Sequence, residues 1–438
     1  MPVTVKPDSE AVSKKTPKRA ALAGFLGSAV EYYDFFIYGA ASALVLDKLF
    51  FPTVDPAVGT LAAMATFGAG YVVRPLGAVI FGHFGDRLSR KKMLVLTLLL
   101  MGVSTFLIGC LPTYGVIGIA APILLVVLRL IQGASAAGEW GGAIALSVEH
   151  APRHRRALVS SWTPSGALAG STIASVVFIA FSSLPEDQFM SWGWRVPFLL
   201  SVVLVGIGLV VRAKLPEPPG FERLKEAKAH EKPPVVTLMT KHGLSVARVV
   251  GCSLYSVIAT IGGVYALAYA TSTTDISATT MLTVKLVSTG AAVAVQPLAA
   301  LAADRVGRKP IFMAGGLICA ASTFLLFWAI GMENLPLIFL GHFLLVAVGY
   351  SLANGVAPAL YSEMFDAPVR YTGVALSSQL GQVLTGFAPT IASALVAAAD
   401  GGWVWVAVAT AGACLTSVLV TLTARETYKS DVDGLHTA

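Results

Sequence analysis

The chain has 438 residues, 55% of them hydrophobic and only 13% charged, with a formal net charge of +7. A mean hydropathy of +0.75 excludes an ordinary soluble domain, whose charged fraction is nearer a quarter. A nucleic-acid role is excluded as well, because the basic residues lie in short segments between apolar runs and not on a polar domain.

At about 20 apolar residues per spanning helix, twelve segments can be drawn. They are 20–45, 57–83, 92–111, 116–149, 157–182, 195–213, 245–271, 280–303, 310–330, 335–362, 371–398 and 403–424. Lys14, Lys15, Lys18 and Arg19 before the first segment mimic a signal peptide, but Glu31 and Asp34 interrupt its apolar core, so no cleavage is expected. The one long polar interruption, 214–244, opens at Lys214-Leu215-Pro216-Glu217-Pro218-Pro219-Gly220 and closes at Pro233-Pro234. Prolines bound it, and Phe221 to Glu231 has the charge pattern of a short surface helix. The expected organisation is therefore a tail (1–19), a six-helix bundle (20–213), a linker (214–244), a second six-helix bundle (245–424) and a tail (425–438).

Charge sets the orientation. Of 31 basic residues, 25 fall in the tails and the even-to-odd connections, whereas the opposite face carries Asp47, Asp55, Glu186, Asp187, Asp275, Glu333 and Asp400. The positive-inside rule then makes both termini cytoplasmic in a multi-pass inner-membrane protein. Basic loops resting on anionic lipid also account for the net charge. Cys110, Cys252, Cys319 and Cys414 all sit in apolar runs without C-x-x-C spacing, so neither a disulfide nor a metal site is indicated. No phosphate-binding loop, zinc-protease helix or nucleophile elbow occurs, and an enzyme is not expected.

The chain is duplicated. Gly82-His83-Phe84-Gly85-Asp86-Arg87-Leu88-Ser89-Arg90-Lys91-Lys92 returns as Asp304-Arg305-Val306-Gly307-Arg308-Lys309. Likewise Leu146-Ser147-Val148-Glu149 followed by Arg156 returns as Leu360-Tyr361-Ser362-Glu363 followed by Arg370.

The first of these motifs, Gly-x-x-x-Asp-Arg-x-x-Arg-Lys, resembles the loop between helices 2 and 3 of major facilitator superfamily transporters. Val30-Glu31-Tyr32-Tyr33-Asp34-Phe35-Phe36-Ile37-Tyr38-Gly39 is similar to a segment of the metabolite:proton symporter family within it, with Tyr32 where Trp is more usual. Arg74-Pro75-Leu76-Gly77, Arg129-Leu130-Ile131-Gln132-Gly133, Gly138-Glu139-Trp140-Gly141-Gly142 and Trp192-Gly193-Trp194-Arg195-Val196-Pro197-Phe198 resemble further segments of that family. Residues 51–84 look most like its shikimate-transporter branch. The resemblance implies an all-α membrane protein with the major facilitator fold: twelve transmembrane helices in two pseudo-symmetric six-helix bundles around a central cavity opened alternately to each side. It also implies a secondary active transporter that needs no cofactor beyond the proton gradient. Tail 425–438 has no heptads, where the osmolyte carriers of the family resemble this core plus a coiled coil, so an organic acid is the expected cargo.

A charge at mid-membrane costs a few kcal/mol and persists when paired, hydrated or functional. The deep charges are Glu31, Asp34, Arg74, Arg129, Glu139 and, near the outer end of its segment, Lys285. Arg129, Gln132, Ala136 and Glu139 share one helix face. An arginine there offers a planar fork to a carboxylate substrate, and a carboxylate there can take up and release a proton. Arg129 is accordingly expected as principal anion contact and Arg74 as secondary, with Asp34 and either Glu31 or Glu139 coupling protons. Structural ion pairing is the competing account of each. Tyr33, Gln132, Gln379 and Gln382, with Trp162 and Asn354, stand on helices that line the cavity in the superfamily, where they would orient a substrate ring or simply bond helix to helix.

The repeated loops are expected to gate. Gly82 permits close packing while Asp86 accepts hydrogen bonds from the positive end of a helix, which the resemblance to the superfamily implies is the eleventh, beginning near Arg370. Arg87, Lys91 and Arg305 add basic charge, and Arg90 and Arg308 meet Glu149 and Glu363 to latch the inner ends of the bundles. Ala300 and Ala303 stand where the first copy has glycines, so the latch around Asp304 is expected to be the weaker. Gly166 and Gly170 are read as helix-packing residues, and the absence of a Gly-Pro pair after them argues against the alternative of a drug:proton antiporter. A non-transporting sensor on the same fold is the alternative from another class. The expected function is proton-coupled uptake of a small organic anion such as shikimate, by a carrier expected to work as a monomer.

Overall fold

A computed structural model describes residues 16–87, 90–149, 151–213, 234–366 and 369–428. Among them are twelve long helices and no strand. In the first half they are α1 (Thr16–Leu44), α2 (Pro56–Val72 continued by Arg74–Arg87), α3 (Arg90–Cys110), α4 (Ala120–Glu149), α5 (Arg156–Ser182) and α6 (Val196–Ala213). In the second they are α7 (Gly243–Thr273), α8 (Ala278–Val306), α9 (Arg308–Gly331), α10 (Leu335–Ser362), α11 (Arg370–Ala398) and α12 (Val404–Thr423). Eight helices are long and apolar enough to cross a membrane by length and composition, and shorter apolar stretches lie in α3, α4 and α6.

Local chemistry explains the departures from straight helices. Pro75 has no amide to donate, and α2 breaks just before it at Val73, which sets Arg74 at the break. Two helices of the second half are wound more loosely: α7 contains a π turn at Ile261–Tyr265, and α10 a π segment at Phe343–Tyr350. The fourth span starts later than the pattern predicts. Tyr114–Ile117 is a separate turn, and Gly118, at φ +59°, reverses the chain before α4. Part of the expected linker is helical too, since Pro234 opens Pro234–Lys241 from the first turn, the position where a missing amide costs nothing. The surface helix expected at Phe221 to Glu231 lies outside the described residues.

Small residues let the helices touch backbone to backbone. A Cβ on Gly166 would stand 2.0 Å from the carbonyl oxygen of Phe25, and one on Gly170 would stand 2.2 Å from that of Ala29, so α5 lies directly on α1. Gly133 is the same for α4 on α2, at 2.0 Å from the oxygen of Gly70. The halves meet where α5 packs along α8 and α2 along α11, with α1 against α7. Of the deep charges of the first half, Arg74 reaches across to α11.

Candidate functional site

Four side chains on one face of α1, spaced three and four apart, build the centre: Glu31, Asp34, Phe35 and Tyr38. Two arginines from the neighbouring helices close on this face. Arg74, 1% exposed, stacks its guanidinium 4.0 Å from the Phe35 ring and 4.4 Å from the Tyr71 ring. Arg129, fully buried, lies 4.3, 4.4 and 4.9 Å from the rings of Phe35, Tyr38 and Phe67. Phe35 is thus shared by the two cations, each over its ring. Such contacts are worth about 2 kcal/mol when desolvated, less than the cost of burying an ion, so each arginine also needs polar partners.

Their partners differ. Arg129 donates to Gln132, Gln132 donates to Thr105 Oγ1 at 2.8 Å, and Thr105 donates to Asp34 Oδ2 at 2.9 Å. Asp34 and Arg129 are therefore joined through a relay that stays inside the first half, and Oδ1 of Asp34 has no hydrogen-bond partner. Arg74 instead faces both halves: its Nη2 is 3.6 Å from Glu31 Oε1, and its Nη1 donates to Gln382 Oε1 of α11 at 3.3 Å. Tyr32 lies beside the same guanidinium. Of the residues singled out from sequence, the structure brings together Glu31, Arg74 and Gln382 in one group, and Asp34, Gln132 and Arg129 in the other.

Others are placed elsewhere. The Tyr33 hydroxyl donates to the Pro197 carbonyl at 2.8 Å, tying α1 to α6. Gln379 is buried on α11 with its Oε1 unpartnered. Trp162 does not line an interior: it is 42% exposed and edge-on to Phe25. Asn354 accepts from Tyr255 at 2.9 Å and donates to Gln296 at 3.3 Å, a polar group in the second half. The side chain of Glu139 lies outside the described residues. Thr105 and the rings around the arginines were missed by sequence reasoning. The signal was there for Phe35 and Tyr38, which share the α1 face of Glu31 and Asp34.

At the end of the bundle carrying Asp304, the repeated motif does two things. Asp304 accepts from the amides of Ala157 and Leu158 at 3.1 and 3.0 Å, so a carboxylate of the second half caps the first turn of α5 in the first. Arg308 is held between Asp304 at 3.0 Å and Glu363 at 3.2 Å. Arg308 does meet Glu363, and the pair lies wholly within the second half, because α9 and α10 both belong to it. The bridge is made by Asp304. Arg370 donates to the carbonyls of Ser362 and Phe365, closing the end of α10, and Arg305 is exposed. Gly82 and the side chains of Asp86, Arg87, Arg90, Lys91 and Glu149 lie outside what the structure describes. Sequence reasoning also left 425–438 as a plain tail, yet Glu426 accepts from the amides of Arg308 and Lys309 at 2.9 and 3.0 Å, and Thr427 donates to Glu363.

Comparison with known proteins gives the context of this arrangement. Residues 20–232 match the family described as "Sugar (and other) transporter", and residues 249–436 match "Major Facilitator Superfamily". The chain is 39% identical to the shikimate transporter of Escherichia coli K12, covering 98% of this chain and 99% of that one. It is also 39% identical to the inner membrane metabolite transport protein YhjE of the same organism, over 89% of this chain and 90% of that one. Identity to the proline/betaine transporter of Salmonella typhimurium LT2 is 34%, over 86% and 78%. Among solved structures, the partially occluded inward-open xylose transporter XylE from E. coli superposes with a TM-score of 0.74 at 17% identity, covering 95% of this chain and all of that one. At that identity the likeness speaks for the fold: twelve helices in two pseudo-symmetric bundles of six.

Proposed function

Since the chain belongs to the major facilitator superfamily, among its multi-pass metabolite transporters and not among enzymes, we propose that it takes up a small hydroxylated or aromatic carboxylate, such as shikimate, together with protons. The observation that carries this reading is the division of labour between the two arginines. Arg129 is enclosed by three rings and its relay to Asp34, all within the first half. Arg74 bonds to both halves through weak, long contacts that a substrate carboxylate can replace with a bidentate pair.

The expected roles of the arginines are therefore exchanged: Arg74 is the principal anion contact, and Arg129 is the counter-charge that sets the state of Asp34. When the substrate carboxylate takes Arg74 it displaces Gln382 and competes with Glu31, freeing the two halves to rock. Asp34 carries the proton, with Glu31 as the second carboxylate that substrate binding releases. Asp304 at the first turn of α5, with Arg308, Glu363 and Arg370 behind it, gates the end that the distribution of Lys and Arg marks as cytoplasmic.

The test is uptake of radiolabelled shikimate into proteoliposomes under an imposed proton gradient. Accumulation above the external concentration that collapses on adding a protonophore is the expected result. Uptake indifferent to the gradient would remove the coupling, and proton-driven export of hydrophobic cations without shikimate uptake would favour the antiporter. Absence of any flux with intact ligand binding would favour a sensor.

A further inference from the structure

Lys285 and His342 are buried polar groups that this mechanism leaves unused. Lys285 lies on α8, about 10 Å along the helix from its start, at the end opposite Asp304, and is 3% exposed. Its ammonium sits 4.5 Å over the Phe36 ring of α1, across the boundary between the halves. Among the described residues it has no carboxylate partner. A ring face recovers less than burying an ion costs, so this position is short of an anion.

His342 of α10 is 1% exposed, and its Nε2 meets the Gly262 carbonyl at 3.1 Å. A carbonyl only accepts, so Nε2 carries the proton and Nδ1 is a bare acceptor, which has no partner. The ring is linked to Lys285 through the α7 glycines and Phe36, and lies within electrostatic range of the ammonium. Gly262 and its neighbour Gly263, which faces Phe36, lie in the π turn of α7, and the π segment of α10 starts directly after His342. Such turns are rare and collect at functional sites. Lys285, Phe36, the two glycines and His342 therefore form one cluster at the junction of α1, α7, α8 and α10.

We propose that this cluster is an outer binding position for a hydroxylated carboxylate, with Lys285 taking the carboxylate, His342 Nδ1 accepting from a hydroxyl, and Phe36 packing against the carbon skeleton. The proposal rests on the reading of the chain as a carrier of small organic anions. It adds a second anion contact, met before Arg74 by a substrate entering from the end opposite Asp304.

The purified chain is titrated with shikimate, with its carboxamide and with cyclohex-1-ene-1-carboxylate, which has the acid but no hydroxyl, following thermal unfolding in detergent. Wild type is compared with Lys285→Met, Lys285→Arg, His342→Phe and Arg74→Met. Without ligand, Lys285→Met is expected to unfold at a higher temperature than wild type, since an unpartnered buried ion gives way to an apolar chain. It is also expected to lose at least tenfold in affinity for shikimate but not for the carboxamide, with Lys285→Arg retaining the preference for the acid. His342→Phe should bind shikimate more weakly and cyclohexenecarboxylate unchanged. If Lys285→Met keeps the full preference and Arg74→Met loses it, the outer position is wrong while the carrier reading stands. Equal binding of acid and amide by wild type overturns both. Lower unfolding temperature with unaltered affinity in Lys285→Met marks a purely structural lysine and overturns the proposal as well.

Discussion

Asp34 is completely buried, yet only one of its two oxygens is hydrogen-bonded, to Thr105. A carboxylate with four acceptor positions and one donor is poorly satisfied as an anion and well placed to hold a proton. Asp34→Asn keeps the shape and the bond from Thr105 but cannot release a proton; its accumulation ratio is expected to fall to about one while exchange of internal for external substrate continues. Counterflow and gradient-driven uptake measured side by side on the same proteoliposomes check this, and unchanged accumulation would pass the role to Glu31 or Glu139. The charges of this site were legible because a charge inside an apolar run is costly and stands out. Thr105 was not, since a lone threonine in a hydrophobic helix is indistinguishable from one bonded back to its own turn, as Thr105 also is to Met101. Glu426 escaped for another reason: it lies beyond the last apolar segment, and nothing local says that a tail returns to cap α9.

Helices were legible wherever length and hydropathy decide, but the break in α2 was not drawn: 57–83 reads as one apolar run even though it contains Pro75. The π turns of α7 and α10 had no such marker, because inserting one residue into a long apolar run leaves its composition unchanged. Packing is the sharper test at this scale. Gly133 admits no side chain against α2, whereas Gly206 of α6 has no neighbour within 4 Å of a built Cβ. Gly133→Leu is expected to destabilise by about 3 kcal/mol or to prevent assembly of α4 on α2, with Gly206→Leu nearly neutral. Thermal unfolding of the two variants in the same detergent checks the contrast, and equal losses would show that the approach of α4 to α2 is not limiting. Gly133 also positions the site: α4 brings Arg129 to Phe35 only because its backbone can reach that of Gly70.

The duplication of the whole molecule was legible from two short motifs, and the distribution of Lys and Arg carried the expected orientation. Sequence repeats said nothing of which contacts cross between the copies. Arg308 and Glu363 form the expected pair but within one half, whereas Asp304 reaches across to α5 and Arg74 reaches across to α11. The last of these has a kinetic consequence. With Arg74 as the proposed anion contact, an empty carrier must break its bond to Gln382 each time it resets, whereas a loaded one would already have exchanged that bond for the substrate. A hydrogen bond to a charged group is worth about 1.5–3 kcal/mol and this long one no more than the low end, so the return of the unloaded carrier would be slowed by up to about tenfold relative to the loaded crossing. Gln382→Ala should therefore speed net uptake relative to exchange, read as a falling ratio of exchange to zero-trans flux, and an unaltered ratio would show that the reset is limited elsewhere. On the proposed roles, the same contact makes the wild type travel reluctantly without cargo, so that an idle molecule would leak few protons.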